Sequence, residues 1–252
     1  MKKVIDKFST ASNDYRKFRP HYPDEMYRYL LDQTTGREVC WDCATGNGQA
    51  ARALAPHFNS ILTTDISSAQ LAQACHLPNI SYSQQRAEQT DFADRSIDLI
   101  VVGQALHWFD FAAFNKEVMR VLRPGGVLAV WCYRLLHTDA VPDEKILELY
   151  DNKLGQYWSN ERRHIDVGYA DIPLPFAGME TAHSFETDLN WKSADLLGYL
   201  NTWSSVKKYQ LAFPGSDPVG EVMEACLRPY GKSEIFKISF PLVLRWGRKA
   251  TA

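Results

Sequence analysis

Apolar runs and amphipathic segments alternate along the first half of the chain. Runs in which nearly every position is apolar are typical of strands buried on both faces, and apolar positions three and four residues apart are typical of helices. The runs predict strands at 39–41, 60–64, 80–83, 97–102 and 127–133. The amphipathic segments predict helices at 23–31, 46–54, 67–74 and 111–122. This alternation predicts a Rossmann-like, doubly wound α/β sheet that is mainly parallel, with ligands bound at the edge where the strands end.

The pattern changes after residue 136. The segment 141–182 is rich in aromatic residues and prolines, and only 143–154 has helical spacing. Further on, the spacing predicts a strand at 184–191, a helix at 193–209 and one or two strands at 235–246. We therefore expect an antiparallel C-terminal strand on the sheet and a small helical and irregular cap. The expected organisation is a single domain over 1–252, with an N-terminal lid at 1–30, a cofactor-binding core at 36–136, a cap insertion at 137–183 and the C-terminal part of the core at 184–252.

Charge and apolar length argue against several classes of protein. The net charge is −2 over 252 residues and no basic stretch is present, so no nucleic-acid partner is expected. The apolar runs are too short to span a bilayer, and no secretory signal precedes the first predicted helix. We therefore expect a cytoplasmic protein without a membrane partner, either a monomer or a homodimer.

The five cysteines are an odd number with no disulfide-framework spacing. Cys40 and Cys43 form a C-x-x-C within a predicted strand, where residues three apart point to opposite faces. We therefore expect buried thiols here and no metal site.

The turn after the first strand carries a carboxylate and two glycines. The segment 39–48 reads VCWDCATGNG, with Asp42 at the strand tip and Gly46 and Gly48 in the turn that opens a helix. The glycines let a ligand approach the backbone, and with Ala51 they also fit the dinucleotide-binding pattern. Asp42 distinguishes the two ligands, because a carboxylate repels a pyrophosphate but attracts the sulfonium and ammonium groups of S-adenosylmethionine. At an effective dielectric constant near 20, one charge pair about 4 Å apart amounts to roughly 4 kcal/mol before desolvation. The sign of the interaction favours the methyl donor.

Asp65 ends the second predicted strand. A carboxylate there can accept hydrogen bonds from both ribose hydroxyls, whether the ligand is a dinucleotide or S-adenosylmethionine. The alternative is that Asp65 only supplies negative charge at the N-terminus of the next helix.

The order of the motifs along the chain resembles one family. The motifs lie at 42–48, 65, 86–88, 98–110 and 118–126. Phe8, Tyr15, Phe18-Arg19-Pro20 and Tyr22-Pro23 belong to the same pattern, as does the segment 157–164 of the cap. Together they resemble the class I S-adenosylmethionine-dependent methyltransferases of the methyltransferase-11 kind, in the trans-aconitate methyltransferase-like branch. The likeness covers nearly the whole chain.

The resemblance implies which residues bind the cofactor S-adenosyl-L-methionine. In the family, the glycine turn contacts the methionine portion, the acid of the second strand holds the ribose, and the Ala-Glu pair borders the adenine. The segment after the fourth strand meets the methionine amino group. Transferred to this chain, these roles fall to Asp42, Ala44, Gly46, Gly48, Asp65, Ile66, Ala87, Glu88 and Gln104. The resemblance also implies that Tyr15 in the lid closes over the methionine carboxylate or the sulfonium, and that Arg19 pairs with that carboxylate.

Two positions depart from the family pattern. Ala44 stands where many members have the first glycine, so the turn must accommodate a methyl group. Arg86 stands where many members have the adenine-binding aspartate, so Glu88 and the N–H of Ala87 are expected to take more of that role.

The resemblance further implies where the acceptor binds. Methyl transfer needs an aligned pocket from which water is excluded, and aromatic walls suit that task. His107 and Trp108 are expected at the mouth of the methyl site, as the catalytic residues. The other residues expected around the acceptor are His21, Tyr22, Tyr157, Trp158, Arg162, His164 and Tyr169.

Some of these residues have simpler interpretations. His107 either has a functional role, orienting the acceptor or taking its proton, or packs beside Trp108 as a loop histidine. Arg162 and His164 either bind an anion or lie at a solvated helix end. A carboxylate acceptor needs no base because it is already ionised at neutral pH, whereas a phenol or an amine would need His107.

The predicted activity is therefore transfer of a methyl group from S-adenosylmethionine to a small-molecule acceptor, a carboxylate or another oxygen nucleophile. Two alternatives from other classes stay open. One is a nicotinamide-dependent oxidoreductase, and the other is a catalytically silent domain that binds S-adenosylmethionine.

Overall fold

Seven strands form one mixed sheet in the part of the chain that the structure, a computed structural model, describes: residue 18 and residues 20–138, 140–176, 180–227 and 235–251. The strands are β1 Val39–Cys43, β2 Ser60–Asp65, β3 Ile80–Gln84, β4 Ile97–Gly103, β5 Leu122–Tyr133, β6 Glu180–Lys192 and β7 Ile235–Arg248. Their order across the sheet is β3-β2-β1-β4-β5-β7-β6. Strands β1 to β5 are parallel, and β7 runs antiparallel to both of its neighbours. The predicted fold class is confirmed.

Helices pack on both faces of the sheet. The α-helices are α1 Asp24–Asp32, α2 Gln49–Leu54, α3 Ser68–Leu71, α4 Phe111–Val121, α5 Ala140–Leu147, α6 Arg162–Asp166, α7 Ser193–Asn201, α8 Ser204–Ala212 and α9 Pro218–Leu227. Short 3₁₀ turns lie at Ala55–His57, Leu106–Trp108 and Gly155–Tyr157, and a π-helical turn lies at Glu148–Lys153. None of the described helices has the length and apolar character needed to cross a membrane.

The alternation of side chains along the strands separates the two faces. Cys40, Val101 and Trp131 lie on the face that packs against α1 and α2. Trp41 and Cys43 lie on the other face, which packs against α4. Cys40 and Cys43 are both buried and free. They point to opposite sides of the sheet, as their spacing predicted.

The helices after residue 136 differ from the sequence predictions. The single helix predicted over 193–209 is wrong, because Trp203 has an extended backbone (φ −65°, ψ 130°) that separates α7 from α8. The helix predicted over 143–154 begins earlier, at Ala140, and changes to the π-helical turn at Glu148. The sequence prediction also left out α9, whose apolar residues do not stand out from the surrounding turn residues.

A third apolar cluster joins the cap to the C-terminal strands. Ile146 and Tyr150 from the cap pack with Tyr199, Trp203 and Phe240. The sheet edge and the cap therefore share a core that is separate from the two clusters on the faces of the parallel strands.

Candidate active site

The carboxylate of Asp42 holds the turn that follows β1. Asp42 is only 2% exposed. Its Oδ2 accepts hydrogen bonds from the Thr45 hydroxyl (2.5 Å) and from the N–H of Ala51 (2.9 Å), which ties the turn to α2. Asp42 therefore lies beneath the turn, and its effect on a ligand is exerted through its charge.

Burial raises the pKa of Asp42 to about 7. The hydrogen bonds from Thr45 and Ala51 act in the opposite direction, and the neighbouring carboxylate of Asp65 raises the pKa further. Near neutral pH the protein therefore contains both ionised and neutral Asp42. A cation bound above the turn would favour the ionised form.

Three residues of this turn have a left-handed backbone: Ala44, Gly46 and Gly48 have φ values of 55°, 57° and 82°. Ala44 thus accommodates its methyl group in a conformation that costs a non-glycine residue about 1–2 kcal/mol. A Cβ on Gly48 would lie 2.7 Å from the Tyr82 hydroxyl, whereas a Cβ on Gly46 would meet nothing closer than Gln70 Oε1, at 4.0 Å. The backbone at Gly46 therefore has open space above it, which a bound ligand requires.

Asp65 links the turn after β1 to the turn after β2. Its Oδ2 accepts a hydrogen bond from the N–H of Gly46 (2.9 Å), and its Oδ1 accepts one from the N–H of Ser67 (2.8 Å). Asp65 and the adjacent Ile66 are both half-buried. A carboxylate oxygen can accept more than one hydrogen bond, so these two contacts are compatible with a ribose-binding role.

Ala87 and Glu88 follow β3, at the position expected for the adenine. Ala87 is buried. Glu88 accepts a hydrogen bond from the backbone N–H of Asp110 (3.0 Å) and another from Nε of Arg86 (3.2 Å). Arg86, one of the two departures from the family pattern, is therefore an ion-pair partner of Glu88.

Gln104 turns the chain at the end of β4, with a left-handed backbone (φ 55°). Its N–H donates to the carbonyl of Trp131 (2.8 Å), and its side-chain Oε1 accepts from the N–H of Tyr133 (2.9 Å). Gln104 thus fastens the loop after β4 to the end of β5. This leaves its side-chain amide nitrogen as the polar group that these two bonds do not use.

His107 belongs to an aromatic stack in the region where the acceptor is expected. It is 4% exposed, and its Nδ1 lies 3.0 Å from the hydroxyl of Tyr169. Its ring contacts the rings of Trp108 and Tyr169, with centroid separations of 4.6 Å and 6.0 Å. Burial raises the pKa of the Tyr169 hydroxyl well above its usual value, so this hydroxyl is neutral near pH 7. The geometry supports a positioning role for His107 through Tyr169.

Arg162 contacts two aromatic rings of the cap, which also contact each other. The carbon of its guanidinium is 5.3 Å from the ring centroid of Tyr150 and 4.9 Å from that of Trp158. Its Nε donates to the Tyr150 hydroxyl (2.8 Å), which in turn donates to Asp166 (2.6 Å). Burial alone would lower the pKa of Arg162, but Tyr150, Tyr199 and Asp166 raise it, so the group stays cationic.

Four of the other residues expected around the acceptor contact different partners. His164 contacts Asp171 through Nδ1 (2.9 Å) and the ring of Phe111. Tyr157 packs on Tyr209. His21 is exposed, with Nδ1 3.1 Å from the side-chain amide of Gln49. Tyr22 contacts the ring of Trp131 edge to face. Tyr15 and Arg19 lie outside the described residues.

Three residues near the site escaped the sequence predictions. Trp131 and Gly103 stand opposite each other at the ends of β5 and β4, and Tyr150 holds Arg162. An aromatic residue in an apolar segment predicts only core packing, and a glycine before a turn predicts only a reversal of the chain. The glycine that ends a buried strand is the one sequence signal that pointed to a close approach at this edge.

The chain is similar to known proteins both in sequence and in structure. Residues 41–130 match the family model described as a methyltransferase domain. The chain is 31% identical to a provisionally named methyltransferase of Dictyostelium discoideum, over 98% of this chain and 96% of that relative. It is 30% identical to a methyltransferase of Aspergillus aculeatus, over 92% of this chain and 91% of that relative.

A similar solved structure is that of a provisionally named type II methyltransferase from Anaeromyxobacter dehalogenans. The TM-score is 0.85 with 34% sequence identity, over 93% of this chain and 100% of that chain. The likeness therefore includes the cap and the C-terminal strands as well as residues 41–130.

Proposed function

Because the chain belongs to the class I S-adenosylmethionine-dependent methyltransferases, we propose that it transfers a methyl group to a carboxylate of a small molecule held beneath the cap. The observation that carries the proposal is the guanidinium of Arg162, which is cationic and lies against the rings of Tyr150 and Trp158. The predicted likeness to the trans-aconitate methyltransferase-like branch supports an acceptor that has more than one carboxylate.

The residues at the strand tips fit the methyl donor. The open space over Gly46 allows the methionine portion to approach the backbone, and Asp65 can accept from the ribose hydroxyls. Ala87 and Glu88 would border the adenine, and the loop at Gln104 would meet the methionine amino group. When bound, the donor supplies a methyl carbon activated by its sulfonium, whose sulfur keeps the C–S electron pair as the new O–C bond forms.

The acceptor side supplies position and charge. Arg162 can bind one carboxylate of the acceptor through the fork of its guanidinium. A second carboxylate, already ionised near neutral pH, is then the nucleophile and needs no base. His107 holds the Tyr169 hydroxyl in place, and the rings around it exclude water from the reacting oxygen.

The alternatives have less support. The relatives described above are methyltransferases by name and none is an oxidoreductase, so the nicotinamide-dependent activity is unsupported. A phenol or another oxygen nucleophile is the next candidate acceptor, and it would require a base.

The test is a product screen with methyl-labelled donor against di- and tricarboxylates, monocarboxylates, phenols and amines. We expect labelled methyl esters from acids with at least two carboxylates. Arg162→Met should raise KM for that acid at least about tenfold, because a charge-assisted bidentate contact is lost. The dissociation constant of S-adenosylmethionine should change less than about twofold.

Arg163→Met is the matched control, because Arg163 is the exposed neighbour of Arg162 on the same helix. Its kinetics should equal those of the unaltered protein. A product formed only from phenols or amines, or an unchanged KM in Arg162→Met, would contradict the carboxylate proposal.

A further inference from the structure

Trp131 has a buried polar atom that the protein does not satisfy. Its side chain is 0% exposed, and its indole Nε1 has no hydrogen-bond partner among the described residues. Other indole groups of the chain are satisfied: Trp41 donates to the Thr64 hydroxyl (2.9 Å) and Trp158 to the carbonyl of Tyr150 (3.1 Å). A buried N–H without an acceptor destabilises the fold by its desolvation free energy. A ligand that accepts from Trp131 Nε1 would remove this penalty.

The indole nitrogen lies over the end of β4. A Cβ built on Gly103 would be 3.0 Å from Trp131 Nε1 and 3.0 Å from the Tyr22 hydroxyl. The two polar atoms therefore lie on the same side of Gly103. An oxygen that accepts from both at about 2.9 Å requires donors within about 6 Å of each other. The positions of these two atoms meet that requirement.

This point of the sheet edge is also where the donor's amino acid belongs. Gln104, next to Gly103, is the residue expected to meet the methionine amino group, and its N–H is bonded to the carbonyl of Trp131. In an amino acid, the carboxylate and the amino group share one carbon, so the carboxylate must lie beside the same residues. Asp42 faces the same side of the sheet from β1 and repels an anion, so neutral donors suit the carboxylate there.

We propose that the indole N–H of Trp131, with the Tyr22 hydroxyl beside it, binds the α-carboxylate of the methionine portion of S-adenosylmethionine. Tyr22 contacts the indole edge to face, with ring centroids 5.3 Å apart. The inference rests on the donor side of the proposed function and is independent of the acceptor.

The first experiment compares two ligands that differ only in the carboxylate: S-adenosylmethionine and its decarboxylated form. Trp131→Phe keeps an aromatic ring and removes the N–H. It should weaken binding of S-adenosylmethionine about tenfold, and change binding of the decarboxylated form less than about twofold, in calorimetric titrations. Trp41→Phe is the matched control, because it removes a satisfied indole N–H on the opposite face of the sheet. It should leave the ratio of the two affinities unchanged.

A second measurement, an NMR titration, uses the unaltered protein and does not depend on the folding of a variant. In the unaltered protein labelled with ¹⁵N on the indole nitrogens, the Nε1–H resonance of Trp131 should move downfield with S-adenosylhomocysteine. It should not move with 5′-methylthioadenosine, which lacks the amino acid. Tyr22→Phe should reduce the preference for S-adenosylmethionine over its decarboxylated form without abolishing it. This variant replaces Trp131→Phe in the titrations if Trp131→Phe does not fold.

Equal losses for both forms of the donor, or a Trp131 resonance that does not respond to the amino acid, would overturn the inference. The indole N–H would then be a structural contact to the Tyr22 ring. Failure of the unaltered protein to bind S-adenosylmethionine at all is a different result, because it would contradict the proposed function itself.

Discussion

The donor side and the acceptor side of the site are built in different ways. On the donor side, the carboxylates of the first two turns accept mostly from backbone amides: Asp42 from Ala51, and Asp65 from Gly46 and Ser67. On the acceptor side, side chains hold other side chains, as with the hydroxyl of Tyr150 on Arg162. Contacts to the backbone survive most substitutions of neighbouring side chains, whereas contacts between side chains do not. Substitutions on the proposed acceptor side are therefore expected to leave the turns of the proposed donor side in place.

Asp65→Ala is the change that should break the donor side most severely. It removes the acceptor of the Gly46 and Ser67 N–H groups and the expected ribose contact together. We expect a loss of donor affinity of about 1–3 kcal/mol, which is roughly 5- to 150-fold. Calorimetry with S-adenosylhomocysteine measures the loss, and Asp188→Ala, an exposed acid on β6, is the control. Unchanged affinity would remove Asp65 from the donor site.

Acidification should weaken the donor side selectively. The pKa of Asp42 is about 7 because the group is buried, and a bound sulfonium favours its ionised form. Affinity for S-adenosylmethionine should therefore fall about tenfold from pH 8 to pH 6. S-adenosylhomocysteine has no sulfonium and should show a smaller decrease. Asp42→Asn should flatten both profiles, and equal slopes for the two ligands would contradict the charge argument.

The same pKa has an opposite consequence for stability without ligand. The folded-state pKa of Asp42 lies above its reference value of 3.8, so folding takes up a proton between these two values. The contribution of Asp42 to the free energy of unfolding is thus greatest below about pH 4 and is lost as the pH rises through about 7. Urea titrations across this range, compared with Asp42→Asn, measure the contribution.

His107→Ala should have the smallest effect and should be confined to the acceptor side. It removes the partner of the Tyr169 hydroxyl, so we expect turnover to fall about fivefold through poorer positioning. Donor affinity should stay within about twofold. His57→Ala, which alters an exposed histidine, is the control. An equal loss of donor affinity would assign His107 to the donor pocket or to the fold.

The difference between the donor side and the acceptor side also explains which site residues could be predicted from the sequence. The turn with Gly46 and Gly48 and the carboxylate of Asp65 are local features, because a strand tip, a left-handed backbone and a helix start follow one another along the chain. The partners of Arg162 (Tyr150, Trp158 and Asp166) are also close in the sequence, but no periodic pattern predicts that they meet. Arg162 and His164 were predicted together, but residues two apart on a helix point in very different directions, so His164 contacts Asp171 instead.

Trp131 shows a further limit of sequence reasoning. A tryptophan within an apolar strand predicts core packing, and the ring does pack in the core. Whether its N–H finds an acceptor depends on residues of other elements, and no periodicity along β5 carries that information.

The order of the strands has a consequence for how the molecule is assembled during synthesis. Strand β7 is made after β6 but lies between β5 and β6, so β6 cannot join the sheet until β7 has left the ribosome. Arg245 of β7 also donates to the carbonyls of Tyr169 and Ile172. A nascent chain that stops before Ile235 has all the residues for the β1–β5 pairings and lacks the strand that anchors this part of the cap. The cap, where we propose that the acceptor binds, is thus completed last.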